Sequence, residues 1–173
     1  MAWIIVEIQG FKNDRNEVIV KELFLKKEEQ TDHFLFRPPY DKNQLSSKIQ
    51  KVNNYCTRNY HGFYWEDGTT DYLCLGIILK SRCKGSKFIL TKGSEKKRFL
   101  ENLLDQPIID VDNIFGVAFE KLPTPSDFDE CPFQHEQYRC AKLNGLKIYD
   151  KIKNIKDLSE FFYGVKSGSS IKD

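Results

Sequence analysis

WIIVEIQGF, at residues 3–11, is apolar at almost every position and carries Glu7 in its middle. This pattern predicts a β-strand that is buried on both faces. EVIVKELFLKK (17–27) alternates apolar and polar residues, and HFLFRPP (33–39) ends at two prolines, so both segments are also predicted strands. Because short connections join the three segments, we predict that they form an antiparallel meander.

The chain after the meander changes to a helical period and then alternates between helices and short strands. The predicted helices cover 40–62, 67–85, 94–105 (with Ser94 as N-cap), 133–152 and 155–163, and the predicted short strands cover 87–93 and 107–111. We therefore predict one α/β domain over residues 1–165, in which helices flank a mixed central sheet, followed by a flexible tail at 166–173.

The composition indicates a folded, intracellular protein. Of the 173 residues, 40% are hydrophobic and 13% are aromatic, which excludes a disordered chain. No apolar run approaches the roughly 20 residues of a membrane helix, and the apolar start lacks the basic leader of a signal peptide. Five cysteines are an odd number without the spacing of a disulfide framework. We expect a cytoplasmic or nuclear protein with free or metal-bound thiols and no membrane partner.

DECPFQHEQYRCA (129–141) brings two thiols and one imidazole, those of Cys131, His135 and Cys140, close together in the sequence. Such residues are metal ligands, a nucleophile with its base, or members of the core. Cys140 and His135 would form a nucleophilic pair, but no Asn or Asp that would orient the imidazole is evident. The other three cysteines lie on predicted helices without histidine partners, and we expect them to be packing residues: Cys56, Cys74 and Cys83.

The end of that segment, HEQYRCA, has the form H-x4-C-A. It resembles the H-x4-D-A sequence of DEDDh exonucleases, which have the ribonuclease H-like fold and share the order of elements predicted above. In that family the first strand carries D-x-E and a later helix supplies a further acid. The corresponding positions here hold Glu7-Ile8-Gln9 and either Lys96 or Lys97. Because Mg²⁺ requires oxygen ligands, the resemblance implies the fold without the ordinary Mg²⁺-dependent exonuclease activity.

The remaining donors, Glu7, Cys131, His135 and Cys140, supply one oxygen, one nitrogen and two sulfurs, a set that suits Zn²⁺. They resemble the Glu-Cys-His-Cys zinc quartet of the Maelstrom domain, a degenerate DEDDh-type ribonuclease H-like domain of the transposon-silencing pathway. A lone buried Glu7 would also require a nearby cation. The resemblance implies a structural zinc site at these four residues and a role in RNA or transposon silencing, and it leaves open a residual metal-independent ribonuclease activity.

The charges are distributed unevenly along the chain. Residues 80–98 contain eight Lys and Arg residues against one acid, whereas residues 101–136 contain nine acids against one Lys. The basic block predicts contacts with phosphates, and we expect single-stranded RNA or another nucleic acid as the partner. The side chains expected to make these contacts are Lys87, Lys92, Lys96, Lys97 and Arg98.

Two other functions fit the sequence. The acidic loop 120–136 or the aromatic segment 59–68 would suit a protein-interaction module, in which zinc only stabilises the fold. An active exonuclease would need acids from elsewhere in the chain, and Asp110 or Asp112 near the last short strand could supply them.

Overall fold

A five-stranded mixed sheet forms the centre of the protein in the computed structural model, which describes residues 2–126, 128, 130–133, 139–155 and 162. The strands are β1 (Trp3–Lys12), β2 (Val18–Lys27), β3 (Gln30–Leu35), β4 (Phe88–Thr91) and β5 (Ile109–Asp110). Their order across the sheet is β3-β2-β1-β4-β5. β2 runs antiparallel to β1 and β3, and β4 runs parallel to β1 and β5. The predicted α/β class, the meander and the two shorter strands are confirmed.

Strand β1 lies in the middle of this sheet and is buried on both faces, as its apolar sequence predicts. Ile4 and Ile8 pack in a cluster on one face, whereas Ile5 packs in a second cluster on the other face. Because side chains alternate along a strand, Glu7 shares the face of Ile5, and it is wholly buried. A β-bulge between Gln9 and Gly10 shifts the pairing of β1 with β2.

Helices cover both faces of the sheet. The α-helices of the described residues are α1 (Ser47–Cys56), α2 (Cys74–Cys83), α3 (Ser94–Leu104) and α4 (Ala141–Lys153). A π-helical turn at Thr57–His61 follows α1, and short 3-10 turns occupy Lys42–Gln44, Val111–Asn113 and Phe119–Lys121. Among the helices within the described ranges, none has the length and apolar character needed to span a lipid bilayer.

Two helices begin later than predicted, for local reasons. Helix α1 starts directly after Ser46, whose hydroxyl accepts a hydrogen bond from a backbone N–H of the first turn. Helix α2 starts well after residue 67, because Thr70 forms a parallel bridge with Phe36 and therefore stays extended. Gly68 also has a φ of +132°, which a helix cannot accommodate.

Helix α4 also begins later than the predicted start at residue 133. Cys140 is its N-cap and has an extended backbone, with φ of −116°. At α3, Gly93 rather than Ser94 holds the cap position. Residues 134–138 and the tail 166–173 lie outside the described residues, as does the predicted helix 155–163 apart from residues 155 and 162.

A buried lysine on β2 ties the end of the meander to the loop before α2. Lys21 is 1% exposed, and its ammonium donates hydrogen bonds to the carbonyl oxygens of Phe36, Trp65 and Asp67 at 2.9, 2.7 and 2.6 Å. Burial lowers the pKa of this ammonium to about 8, although the negative charges of Asp67 and Glu66 oppose the shift. Lys21 thus satisfies carbonyls that two loops leave unpaired.

Helix α4 approaches β2 so closely that one position admits only glycine. A Cβ on Gly145 would lie 2.3 Å from the Phe24 ring, whereas a Cβ on Gly76 of α2 would meet nothing within 4 Å. We expect Gly145→Ala to lower the free energy of unfolding by about 1–3 kcal/mol through overpacking. Gly76→Ala should raise it by about 0.5–1 kcal/mol, because alanine favours the helix. Urea denaturation of the two variants measures both effects, and equal stabilities would contradict the close packing.

Candidate metal centre

Glu22, in the middle of β2, places a carboxylate inside the protein beneath the start of α4. The residue is fully buried, and its Oε1 accepts a hydrogen bond from the backbone N–H of Ala141 at 2.8 Å. Its Oε2 lies 3.8 Å from the Sγ atom of Cys131 and 3.9 Å from that of Cys140. Within the described ranges, these are the only His, Cys, Asp and Glu side chains whose donor atoms cluster in this way, all within 4.8 Å of one another.

The two cysteines reach Glu22 from the segment that precedes α4. Cys140 is the N-cap of that helix, and its Sγ accepts a hydrogen bond from the backbone N–H of Leu143 at 3.5 Å. Cys131 lies earlier in the same segment, and both thiols are buried, at 7% and 5% exposure for Cys131 and Cys140. The start of α4 therefore positions both the Cys140 sulfur and the backbone N–H that contacts Glu22.

The two oxygen–sulfur distances of this cluster are compatible with those around a tetrahedral metal ion. Zn²⁺ binds sulfur at about 2.3 Å and carboxylate oxygen at about 2.0–2.2 Å, so a tetrahedral ion holds its oxygen and sulfur ligands about 3.6 Å apart. The oxygen–sulfur distances of 3.8 and 3.9 Å are close to that separation. Glu22, Cys131 and Cys140 could therefore hold a metal with small side-chain movements.

His33, on β3, is the neighbour that orients the Glu22 carboxylate. Its Nε2 lies 2.7 Å from Glu22 Oε2, and its ring packs against Phe133 with the ring centres 4.4 Å apart. Its Nδ1 is buried and has no hydrogen-bond partner among the described residues. The imidazole thus lies beside the Glu22 oxygen but outside the cluster of one oxygen and two sulfurs, on a strand that the sequence did not connect with the site.

The environment of Cys140 keeps its thiol protonated when no cation is present. The hydrogen bond with the Cys131 thiol raises the pKa of Cys140, and burial and the negative charge of Glu22 raise it further. A nucleophilic cysteine needs a lowered pKa. The surroundings of Cys140 therefore argue against a nucleophile, and its proposed base His135 lies outside the described residues.

Glu7, the carboxylate expected at the zinc site, is engaged elsewhere. Its Oε2 lies 2.5 Å from the ammonium of Lys96. Its Oε1 accepts hydrogen bonds from the backbone N–H of Lys92 at 2.9 Å and the hydroxyl of Thr91 at 3.2 Å. The structure thus brings Cys131 and Cys140 together as predicted, but it places Glu22 rather than Glu7 beside them.

Glu7 and Glu22 are near neighbours in the sheet. This explains why Glu22 lies beside the thiols, where Glu7 was expected. Glu22 pairs with Gln9 across β1 and β2, and Glu7 pairs with Phe24. Paired residues of adjacent strands point to the same face, so all four lie beneath α4. The carboxylate beside the thiols therefore belongs to the neighbouring strand β2. It lies opposite Gln9, two residues beyond Glu7 along β1.

Lysines occupy the place where β4 and β5 end beside the middle of β1. Lys92 forms an ion pair with Asp112, and Lys96 forms the ion pair with Glu7. Both ammonium groups also lie over the Phe119 ring, 5.0 and 5.3 Å from its centre. Each ammonium group thus neutralises the charge of one acid.

Asp110, the other acid considered for an exonuclease site, serves the local backbone. Its Oδ1 accepts hydrogen bonds from the backbone N–H groups of Gly93 and Asp112, both at 2.9 Å, and so caps the turn after β5. The residue is 6% exposed. Asp110 thus caps a turn, and Asp112 forms an ion pair with Lys92.

The predicted basic block does not form one continuous face. Lys87 precedes β4 and Lys92 follows it, so the strand separates them. Lys97 lies 3.7 Å from Glu101 one turn further along α3, and Arg98 is exposed. Of the five cations expected to contact phosphates, Lys92 and Lys96 are the most engaged, because each pairs with an acid and contacts an aromatic ring.

The remaining cysteines differ from the clustered pair. Cys83 is buried in the core, where burial raises its pKa to about 11, and it packs as predicted. Cys56 is half-buried beside the cluster around Trp65, and burial raises its pKa as well. Cys74 is half-buried at the start of α2.

Sequence analysis missed Glu22 and His33, although a signal for Glu22 was present. Glu22 sits inside VIVKELFL, a run whose apolar residues indicate burial on both faces, as in the case of Glu7. His33 is the first residue of an apolar run, and nothing in that run indicates a functional role for it. Its contact with Glu22 arises only because β2 and β3 pair.

No protein-family model matches the sequence, and no curated protein matches it at a significant level.

Proposed function

We propose that this chain is a degenerate ribonuclease H-like domain that binds single-stranded nucleic acid, with single-stranded RNA as the expected partner. A structural zinc ion at Glu22, Cys131 and Cys140, with His135 as the predicted fourth ligand, would stabilise it. A role in RNA or transposon silencing is the context that the Maelstrom resemblance suggests. The observation that carries this proposal is the order of the sheet.

The sheet order supports the proposal because it combines two features of that fold. A meander supplies β1, β2 and β3, and the sheet then continues from β1 through two parallel strands. β2 is the strand that runs against the other four. Fold alone does not establish function, so the chemistry at the sheet end must support the second part of the proposal.

The chemistry at the sheet end favours binding over metal-dependent hydrolysis. In a two-metal nuclease, clustered carboxylates hold cations that stabilise the attacking and leaving oxygens. Here Lys96 binds Glu7 directly, at 2.5 Å, and its ammonium supplies the positive charge. A domain arranged in this way lacks the free oxygen ligands that Mg²⁺ requires, while the exposed Arg98 nearby remains available to a phosphate.

The proposed metal would act on folding. It would join β2 to the segment before α4, and so would fix the start of the helix that covers one sheet face. Metal binding of this kind contributes directly to the free energy of folding. Zinc suits the donors, because thiolate sulfur and carboxylate oxygen are both common zinc ligands.

A filter-binding titration with single-stranded RNA tests the proposed function. We expect affinity to fall steeply with salt, by a log–log slope of about 0.7 for each phosphate contacted. The double variant Lys97→Ala/Arg98→Ala should reduce that slope by about 1.4 if each side chain meets one phosphate. Lys151→Ala/Lys153→Ala, which removes two cations from the last turn of α4, is the charge-matched control.

The same titration, run with and without added Mg²⁺, tests the absence of two-metal chemistry. The RNA should stay intact in both conditions. Mg²⁺-dependent release of mononucleotides that survives repurification would show that Asp110 or Asp112 serves catalysis. Absence of any RNA binding at low salt would instead leave the protein-interaction module as the better account.

A further inference from the structure

An open cleft of about 280 Å³ lies between the π-helical turn, the turn at Phe119–Lys121 and the start of α4. Its walls include polar or charged side chains from all three segments, with Cys140 at one side. This volume is near the lower end of ligand-binding pockets, which suits one monomer unit of a larger ligand. The cleft adjoins the Glu22–Cys131–Cys140 cluster, because Cys140 belongs to both.

One wall of the cleft is a flat stack of an aromatic ring and a guanidinium group. The Arg139 guanidinium lies over the Tyr60 ring, 4.8 Å from its centre, and the Arg139 backbone N–H donates to the Tyr60 carbonyl at 2.6 Å. Tyr60 is 37% exposed, and Tyr55 meets its edge with the ring centres 5.7 Å apart. Such planar, exposed groups stack well on unpaired bases.

The floor of the cleft offers hydrogen-bond donors. Asn144 is 4% exposed, and its Nδ2 is buried without a hydrogen-bond partner within the described part of the chain. Lys147, one turn later on α4, is 9% exposed and donates to the Phe119 carbonyl at 2.8 Å. A buried amide without a partner is costly, so a ligand that accepts a hydrogen bond there would remove a penalty.

The charges around the cleft favour an anion. Arg139 and Lys147 bring two cations to it, and Glu120 is the acid among the lining residues. Glu120 lies 3.8 Å from Arg139, but both side chains are more than half exposed, so this ion pair is weak and screened by salt. A phosphate could displace Glu120 from the guanidinium at little cost.

We propose that this cleft binds one unpaired nucleotide of a single-stranded nucleic acid. The base stacks on the Tyr60–Arg139 wall, its edge accepts a hydrogen bond from Asn144, and the phosphate contacts Arg139 and Lys147. The inference rests on the proposed nucleic-acid binding and assigns its main contact to this cleft rather than to residues 80–98. It also connects binding with the metal centre, because Cys140 lies between Arg139 and the start of α4.

Stacking is tested by three tyrosine variants in the RNA titration. Tyr60→Leu should weaken binding by roughly 5- to 150-fold, the range for loss of one base–aromatic stack. Tyr60→Phe should bind as wild type does, because the ring remains. Tyr64→Leu is the matched control, since Tyr64 lies in the same aromatic segment, is 65% exposed and does not line the cleft.

The phosphate contact is tested by Arg139→Gln, whose salt slope should fall by about 0.7. Photocross-linking of an oligonucleotide that carries 5-iodouracil should mark the peptide that contains Tyr55 and Tyr60. Wild-type binding with equal affinities for Tyr60→Leu and Tyr64→Leu, or a cross-link confined to residues 87–98, would overturn the cleft and leave the proposed function standing. Absence of wild-type binding would overturn both.

Discussion

Zinc should co-purify with the wild-type chain at about one ion per chain and should be lost from the Glu22→Gln variant. The reason is that Glu22 supplies the oxygen beside the two buried thiols, at 3.8 and 3.9 Å. Cys140→Ser should also lose zinc and should be strongly destabilised, because apparent zinc binding contributes on the order of 10 kcal/mol to the folding of a structural site. That amount is comparable with the whole stability of a domain, about 5–15 kcal/mol, so this variant should be poorly soluble.

Two controls make the metal prediction specific. Glu7→Gln should retain zinc, because the Glu7 carboxylate contacts Lys96 and not the thiols. Cys74→Ser should retain it as well, since Cys74 lies outside the cluster. Elemental analysis of the purified proteins gives the metal content, and thermal unfolding with and without a chelator gives its contribution to stability. A well-folded wild-type protein free of metal, or loss of zinc from Glu7→Gln alone, would contradict this assignment.

Lys96→Ala should lower the free energy of unfolding by about 3 kcal/mol, the lower end of the range for breaking a buried ion pair. The Glu7 side chain is completely buried, whereas that of Lys96 is 22% exposed, so the variant leaves a carboxylate without its cation inside the protein. The lower end of the range applies because Thr91 and Lys92 still donate hydrogen bonds to Glu7. Urea denaturation at neutral pH measures the loss.

The adjacent lysine provides the control for that loss. Lys97→Ala removes a surface pair with Glu101 and should cost about 0.3–0.5 kcal/mol. The double variant Glu7→Gln/Lys96→Met should lose much less than the sum of its single variants, because it removes both charges together. Equal losses of unfolding free energy in Lys96→Ala and Lys97→Ala would show that the buried ion pair stabilises the protein no more than the surface pair does.

The sheet could be predicted because each strand of the meander carries its own signal. The apolar run around Glu7 and the two prolines after Phe36 mark a central strand and the end of an outer one. The helix starts were harder, since they depend on distant contacts. Residue 67 does not begin a helix because Thr70 pairs with Phe36. The Lys21 ammonium also donates hydrogen bonds to carbonyl oxygens of the same region.

The candidate site could be predicted in part. Cys131 and Cys140 are close in the sequence and precede a helix, so their proximity follows from local spacing. Local spacing does not show which carboxylate joins them, because β1 and β2 each bury one glutamate in mid-strand on the same face. Which of the two meets the thiols depends on where α4 crosses the sheet. The choice between Lys96 and Lys97 depends in the same way on the rotation of α3.

The sheet order has a consequence for synthesis of the chain. β1 is an edge strand of the meander until β4 pairs with it, through Trp3–Phe88, Ile4–Ile89 and Ile5–Leu90. The ribosome must add the 56 residues from Phe36 to Thr91 after the meander is complete. At about 5–20 residues per second this leaves the apolar edge of β1 uncovered for roughly 3–11 s. An uncovered apolar edge can pair with a neighbouring nascent chain, so slow translation between β3 and β4 would promote aggregation on polysomes.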